Sequence, residues 1–569
     1  MKIRNMKIRL EEFGYKKVFG IFLVTWFLAN IVQAMVMDVI SDEAYYALFG
    51  QNLAWGYYDH PPLVALLTRA SSLLFDGNLG VRFMTVLLQP FALILIWKTI
   101  GFEKPDARKV TTFFIISFSI VMFMAYGVIT APDVPLLFFT ALFLYSYKKF
   151  LDREEWISVL LLALSMAGLV YSKYQAVLVI GFTVLSNFRL LLKYKFWLAG
   201  ILALLLLSPH ILWQISNGFP SFQYHLVARS TEFRWIYFFE YLPNEMAVFN
   251  PFTLGAVVYV LVKQRADDLF SRNLYIQIVG FIGFFWLTAF RGHVEPHWTI
   301  ACSIPMIILL VRRCDIDLGL RNYTYKYILY SLLLIVFVRL FLCFDSSITR
   351  RIGYKGNKEK YTAIEEVAGD LPLIFTGSFQ RPSLYPFITG KEAVVISSLY
   401  SRQTQFDIWK FEEKYWDKSV FVWGDYGERS QDFSTGFTSF KGFFAKNLQT
   451  VNRMGIEFEL PSIQMRSGDP MEIPFVISNS YDHDIDFGHP EFPVSLVCVF
   501  IRGKEVHLVP GKVDKTIGVV PEKERVEGTI TVVVPDIKEG EYSVGLSLNT
   551  LFGPAKNSRF IKISLENGR

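Results

Sequence analysis

The sequence is short of charge. Asp, Glu, Lys and Arg make up 19% of its 569 residues, where an ordinary soluble protein carries about 25%. The deficit falls before residue 344, where apolar runs follow one another, and this excludes a single soluble domain. Cysteine is scarce as well: Cys302, Cys314, Cys343 and Cys498 show no metal-ligand spacing, and only one lies in the C-terminal part. That pattern argues against a disulfide framework. The N-terminus is basic and then apolar but lacks a small-residue cleavage site, so it reads as an uncleaved first span rather than a removable leader. No internal repeat is visible. A continuous basic stripe is missing too: the net charge of +6 is spread over short clusters between apolar runs, which is a topology signal and not a nucleic-acid footprint.

What is present is a multi-span membrane pattern. Runs near twenty residues can cross a hydrocarbon core of about 30 Å, and there are about eleven of them. They lie at 18–37, 80–99, 110–129, 133–150, 156–171, 174–188, 196–215, 247–262, 273–290, 297–312 and 326–344. Alternate connections carry the basic residues, in clusters at Lys2–Lys17, Lys98–Lys109, Lys148–Arg153, Arg189–Lys195, Lys263–Arg272 and Arg312–Lys326. The positive-inside rule puts these clusters in the cytoplasm. The stretch 62–75 would be only about 21 Å long as a helix, and counting it as a span would place the basic loop 98–109 outside. It is expected to lie along the outer interface.

The other connections hold the unusual polar groups, and they share the outer face. "SDEAYY" places Asp42 and Glu43 at the opening of a helix on which Asp42, Tyr45, Tyr46 and Phe49 share a side. Ser41 or Asp42 caps that helix, or the carboxylates do chemistry. Asp59 and His60 precede a double proline, and Pro61 keeps His60 out of helical geometry. In "ITAPD", Thr130 or Asp133 is a candidate cap. Lys173 stands between two short apolar runs, where it either snorkels or binds an anion. "RGHVEPHW" adds Arg291, His293, Glu295 and His297; Pro296 breaks the helix that would align the two histidines on a metal. Each signal alone is weak, but ionisable groups gathered in a membrane bundle default to a functional reading. Carboxylates supply a general base, and Lys and Arg hold phosphate.

These residues carry a resemblance. "DEAYYALFGQNLAWGYYDHPPLVAL" resembles the first outer loop of bacterial family-39-type glycosyltransferases, relatives of protein O-mannosyltransferases and of the lipid A aminoarabinose transferase. "TAPDVPLLFF", "SKYQAVL", "PHILWQISNGFPSFQYH", "EPHW" and the tail segment "SFQRPSLYPFITGKEAVVISSLYSRQTQFDIW" extend the likeness over residues 15 to 425. It implies a GT-C membrane fold and a polyprenyl-phosphate sugar donor, with a protein, lipid A or glycan as acceptor. It further implies a bacterial inner-membrane location with the N-terminus cytoplasmic and the active site periplasmic.

Carried over, Asp42 is the catalytic carboxylate, with Glu43 beside it and Asp133 as the second-loop aspartate. Lys173, with Arg291 and His60, faces the donor phosphate. Asp59, Glu295 and His297 lie at substrate or at a divalent cation, the one cofactor the resemblance raises. Asp59 and His60 stand where the aminoarabinose transferase has a Glu-Lys pair. The reaction expected is a single inverting displacement.

The chain is expected to divide into a membrane catalytic domain at 1–344, a small mixed α/β region at 345–450, and a β-sandwich of immunoglobulin-like type at 451–569. Alternating runs such as "EIPFVISN", "SLVCVFIRG" and "YSVGLSLN" mark the strands of the last. Two rival readings remain at this level. A transporter also buries charge, but usually shows paired repeats. A glycan-binding scaffold led by the tail leaves the outer-loop carboxylates unexplained. Labelling checks the topology: with the native cysteines replaced, a cysteine near residue 480 is expected to react with an impermeant reagent from the periplasm, and one near residue 105 is not. The reverse pattern would move the acidic loops to the cytoplasmic face.

Overall fold

The computed structural model describes residues 14–225, 234–436, 438–503 and 505–566. The basic cluster from Lys2 to Arg9 lies outside the described residues. The chain forms two compact units that part at residue 357.

The first unit is helical. In chain order its main helices are α1 (Tyr15–Val36), α2 (Ser41–Gln51), α3 (Leu63–Ser72), α4 (Gly77–Ile100), α5 (Ala107–Ser119), α6 (Val121–Ala125), α7 (Asp133–Asp152) and α8 (Trp156–Ser172). There follow α9 (Val177–Ser186), α10 (Tyr194–Ser216), α11 (Trp235–Phe249), α12 (Pro251–Lys263), α13 (Leu269–Thr288), α14 (Ser303–Ile316) and α15 (Leu329–Phe341). A helical segment lies over each of the eleven apolar runs. Among the described residues, five helices are long and apolar enough to cross a membrane by themselves, or six if the bent pair α11–α12 is one span. Of the other apolar runs, those at 156–171 and 273–290 fall on single helices, α8 and α13, while others are broken into shorter pieces, as where α5 ends at Ser119 and α6 starts two residues on.

Local chemistry accounts for the breaks. Between α11 and α12 the chain turns by 102° at Asn250, which has φ 69°. Pro251 bars the preceding residue from helical geometry, and Asn is one of the few side chains that tolerates positive φ. The Asn250 amide donates to Ser119 O (3.2 Å) and to Ser331 Oγ (2.8 Å), while its oxygen accepts Phe252 N–H (3.0 Å). The hydropathy pattern places one span at 247–262 after a long loop. Helix α11 in that loop is a difference, hidden in the sequence by Glu240, Pro243 and Glu245, which interrupt its apolar run.

Helix α3 has ten residues, about 15 Å at 1.5 Å per residue and too short to span. It buries Val64, Ala65, Thr68 and Ser71 and leaves Leu66, Leu73 and Leu74 exposed nearby. It crosses α2 at Gly50, where a Cβ would stand 2.5 Å from Thr68 Oγ1. Only glycine permits that approach.

The second unit begins with a five-stranded sheet of β1 (Leu373–Thr376), β2 (Ala393–Ile396), β3 (Val420–Trp423), β4 (Gln431–Ser434) and β5 (Ser439–Ala445). The strand order is β2-β1-β3-β5-β4. The β2-β1-β3 pairings are parallel and the rest antiparallel. A helix at Gln380–Thr389 makes the crossover that the parallel β1–β2 pair requires. Later in the chain two further sheets, of six and four strands, close on one core containing Ile473, Phe475, Ile477, Cys498, Phe500, Val544 and Leu546. Residues Pro470–Ser478 alternate buried and outward side chains along one strand, as a half-buried sheet demands.

Candidate functional site

The site is built around the start of α2. Ile40 is the helix N-cap, and neither Ser41 nor Asp42 caps the helix. Glu43 does that work instead, its Oε2 accepting the Ile40 N–H at 3.2 Å. Glu43 is fully buried, as is Arg82 of α4, and the two form an ion pair. Arg82 Nε donates to Glu43 Oε1 (2.8 Å) and Nη2 to Oε2 (2.5 Å). Nη1 also donates to Ala34 O (3.1 Å) and Met37 O (2.6 Å), and Nη2 to Asp38 O (2.8 Å). All five guanidinium N–H groups are thereby used, three of them on carbonyls at and just beyond the end of α1. Glu43 Oε1 further accepts the Thr130 N–H at 2.9 Å. One buried pair therefore ties together the end of α1, the start of α2, α4, and the loop that leads into α7.

Thr130 is likewise no helix cap. Its hydroxyl donates to Val81 O (3.0 Å) and lies 2.8 Å from Thr85 Oγ1. Three residues on, Asp133 opens α7, whose N-cap is Pro132. Asp133 is buried, and its Oδ1 accepts from Lys173 Nζ at 2.7 Å. Lys173 is buried too and closes α8 in extended geometry, φ −162°. The side chain thus does not snorkel outward; it points at a carboxylate. Tyr126 also hydrogen-bonds Asp133.

Asp59 and His60 sit in an irregular turn closed by Tyr57 N–H on His60 O (3.1 Å). The loop is pinned from inside by the Tyr57 hydroxyl, which donates to Phe49 O (3.0 Å). It is pinned from outside by His210, whose Nδ1 lies 2.6 Å from Trp55 O, and by Ser221, whose Oγ donates to Tyr57 O (2.8 Å). His225 Nε2 is 3.1 Å from Asp59 O. Asp59 itself is buried.

Tyr46 lies at the centre. Its hydroxyl is 3.3 Å from His60 Nε2. Burial first, and then the fields of Asp42, Asp59, Asp133 and Tyr224, push its phenol well above the ordinary tyrosine range. The charges of three carboxylates from three outer loops are thus felt at one buried ring. Asp42 is the exposed member, while Tyr45, Tyr46 and Phe49 of the same helix are buried.

The remaining predicted residues belong to the later loop and the turn Pro296–Cys302 that it enters. Arg291 is exposed, and Glu295 Oε2 lies 3.8 Å from His293 Nε2. Glu295 and His297 stand at the start of a 3-10 turn, Pro296–Cys302, that packs against α7, α11 and α13. Among the described residues, no three His, Cys, Asp or Glu side chains gather to hold a metal ion. Arg82 escaped the residue-by-residue reading, and Tyr46 was placed on the Asp42 side of its helix without a role. Arg82 had a signal, since it is an arginine inside the apolar run 80–99, where an ionisable group defaults to function.

Residues 59–213 match the family model described as dolichyl-phosphate-mannose-protein mannosyltransferase. Two proteins of Rhizobium johnstonii are similar in sequence. The lipopolysaccharide core galacturonosyltransferase RgtA is 28% identical over 212 residues, 35% of this chain and 42% of that protein. The lipid A galacturonosyltransferase RgtD is 25% identical over 291 residues, 48% of this chain and 60% of that protein. The chain thus spans about half the length of these relatives. Among solved structures, ArnT from Cupriavidus metallidurans bound to undecaprenyl phosphate superposes with a TM-score of 0.57 at 11% identity, covering 74% of this chain and 97% of that one. Its apo form gives 0.56. The protein is a membrane protein with the GT-C fold that the first-loop resemblance implies.

Stability separates the clamp from its neighbour. Arg82→Met or Glu43→Gln leaves a buried charge without its counter-charge and is expected to cost about 3–5 kcal/mol, read as a lowered unfolding midpoint in detergent. Arg82→Lys should recover little, because a lysine cannot reproduce the five-donor fork. Asp42→Asn, at an exposed position, should stay within about 0.5 kcal/mol of wild type.

Proposed function

We propose that this protein is a glycosyltransferase of the inner membrane that moves a hexosyl or pentosyl group from a polyprenyl-phosphate donor to a hydroxyl or amine on a periplasmic acceptor. The observation that carries this reading is the buried Asp133–Lys173 pair, whose carboxylate acts on the same Tyr46 phenol as the charges of Asp42 and Asp59. The fold supports it, as do the two sequence relatives, named as galacturonosyltransferases of lipopolysaccharide core and of lipid A. Both names favour a lipid-linked glycan over a protein as the acceptor.

In this reading Asp42 is the base. Asp42 is exposed, and its place in the first turn of α2 puts its carboxylate in the favourable field of the helix N-terminus. It takes the acceptor proton as the acceptor atom bonds to the anomeric carbon. The bond from that carbon to the phosphate oxygen breaks with its electron pair, releasing polyprenyl phosphate, and the carbon inverts.

Lys173, oriented by Asp133, stabilises the departing phosphate, and His60 and Arg291 stand as further phosphate ligands. An ammonium aimed where charge develops is worth more in a dry site than in water. Asp59, Glu295 and His297 hold the sugar or a cation. Glu43, grouped with Asp42 by sequence, acts here through position, since its oxygens are committed to Arg82, Thr130 and Ile40.

Turnover of an undecaprenyl-phosphate sugar by the purified protein tests the reading against a transporter or a scaffold, neither of which consumes the donor. Asp42→Asn is expected to lower turnover about 10²–10⁴-fold with donor binding intact. Near-wild-type turnover would remove Asp42 from the mechanism. The role of Lys173 is read by a double-mutant comparison. Lys173→Met strands Asp133, so stability should fall and be partly restored in Lys173→Met/Asp133→Asn. Undecaprenyl-phosphate affinity should drop roughly ten- to a hundredfold in both, the loss of a charge-assisted contact. Affinity that returns with stability would leave Lys173 a structural partner of Asp133 alone.

A further inference from the structure

Arg339 is the only ionised side chain on α15, a helix with no buried residue. Its guanidinium is turned inward, toward α1. Nε bonds the Gln33 amide oxygen, Nη2 bonds the Asn30 amide oxygen, and the group lies 4.4 Å over the Trp26 ring. Among the described residues none of its partners is a carboxylate, and Nη1 is buried with no hydrogen-bond partner. The contrast with Arg82 is informative. At the same end of the bundle, that buried guanidinium has a carboxylate and uses all its donors. A buried cation lacking both is costly unless something outside the chain supplies the negative charge.

Arg339 lines a cavity of about 120 Å³ together with Gln33, Met37, Met124, Val128 and Val338. No residue of the carboxylate–lysine cluster lines it. The helices that frame it turn apolar side chains outward: Val32 is 60% exposed on α1, and Leu334 and Phe337 are 63% and 66% exposed on α15. In a membrane protein such surfaces meet acyl chains, so the crevice is approached from the bilayer. It lies by Met37, at the end of α1 that leads into Asp42.

We propose that this crevice binds the phosphodiester of a membrane glycerophospholipid, from the leaflet on the Asp42 side, through Arg339 Nη1. The acyl chains lie along α1 and α15, and the phosphate supplies the counter-charge that the protein does not. This site is separate from the proposed reaction centre and does not depend on the transferase reading.

The test uses the full-length protein exchanged into phosphatidylglycerol nanodiscs, released, and examined by native mass spectrometry. Wild type is expected to retain one phosphatidylglycerol per chain. Arg339→Gln and Arg339→Met should retain it about tenfold less or worse, the range for losing a charge-assisted bond, while Leu334→Ala, on the outward face, retains it. Arg339→Lys keeps the charge without the fork and should fall between; it is the variant to read if the other two do not fold. Equal retention by wild type and all three Arg339 variants would overturn the site. Added undecaprenyl phosphate or inorganic phosphate should leave the adduct in place. Displacement by either would overturn the glycerophospholipid assignment, the first in favour of the substrate lipid and the second in favour of a simple anion.

Discussion

The buried pair of Arg82 and Glu43 is the contact on which the rest of the site depends. A carboxylate and a guanidinium removed from water are tolerated only when each has partners for nearly every donor and acceptor, and here both do. Four segments supply those partners: the end of α1, the start of α2, α4, and the loop before α7. A network so fully satisfied has few alternative arrangements, because shifting any one segment leaves a buried charge short of a bond. The start of α2 and the approach to α7 are therefore held in one geometry. Asp42 and Asp133 sit one and three residues away from bonded atoms of this clamp. Their relative position follows from a group that takes no part in the proposed chemistry.

The neighbouring carboxylates are sorted by burial. Asp133 is inside and faces a lysine ammonium, while Asp42 is outside in water. Low dielectric strengthens the first interaction and the second escapes its penalty. Tyr46 registers the combined field of all three acidic loops, and its phenol stays protonated and able to donate a hydrogen bond throughout the physiological range. A sugar phosphate entering such a place meets a cation held in position and a solvated base. Those are the two groups that a displacement with a phosphate leaving group requires.

The second unit has buried side chains along its parallel strands and a core between its six- and four-stranded sheets. No cluster of potential metal ligands appears among its described residues. The groups proposed to carry the chemistry all belong to the helical unit.

Much of this architecture was legible in the sequence because it is written locally. Apolar run length, the alternation of basic clusters, the proline after His60 and the two-residue period of the late strands each concern residues close together in the chain. The first-loop residues carried the fold resemblance for the same reason. What the sequence left open were partners. Ser41, Asp42, Thr130 and Asp133 all looked like helix caps, and none is one, because Ile40, bonded by the Glu43 side chain, and Pro132 take those places. Lys173 was divided between snorkelling and anion binding until Asp133, forty residues away, was found beside it. Arg82 lies thirty-nine residues from Glu43, and nothing near either names the other. Hydropathy and periodicity are short-range properties that a linear chain displays by itself. Which charge neutralises which is a choice among distant groups, made only when packing removes water and leaves each with the partner that the fold brings within bonding distance.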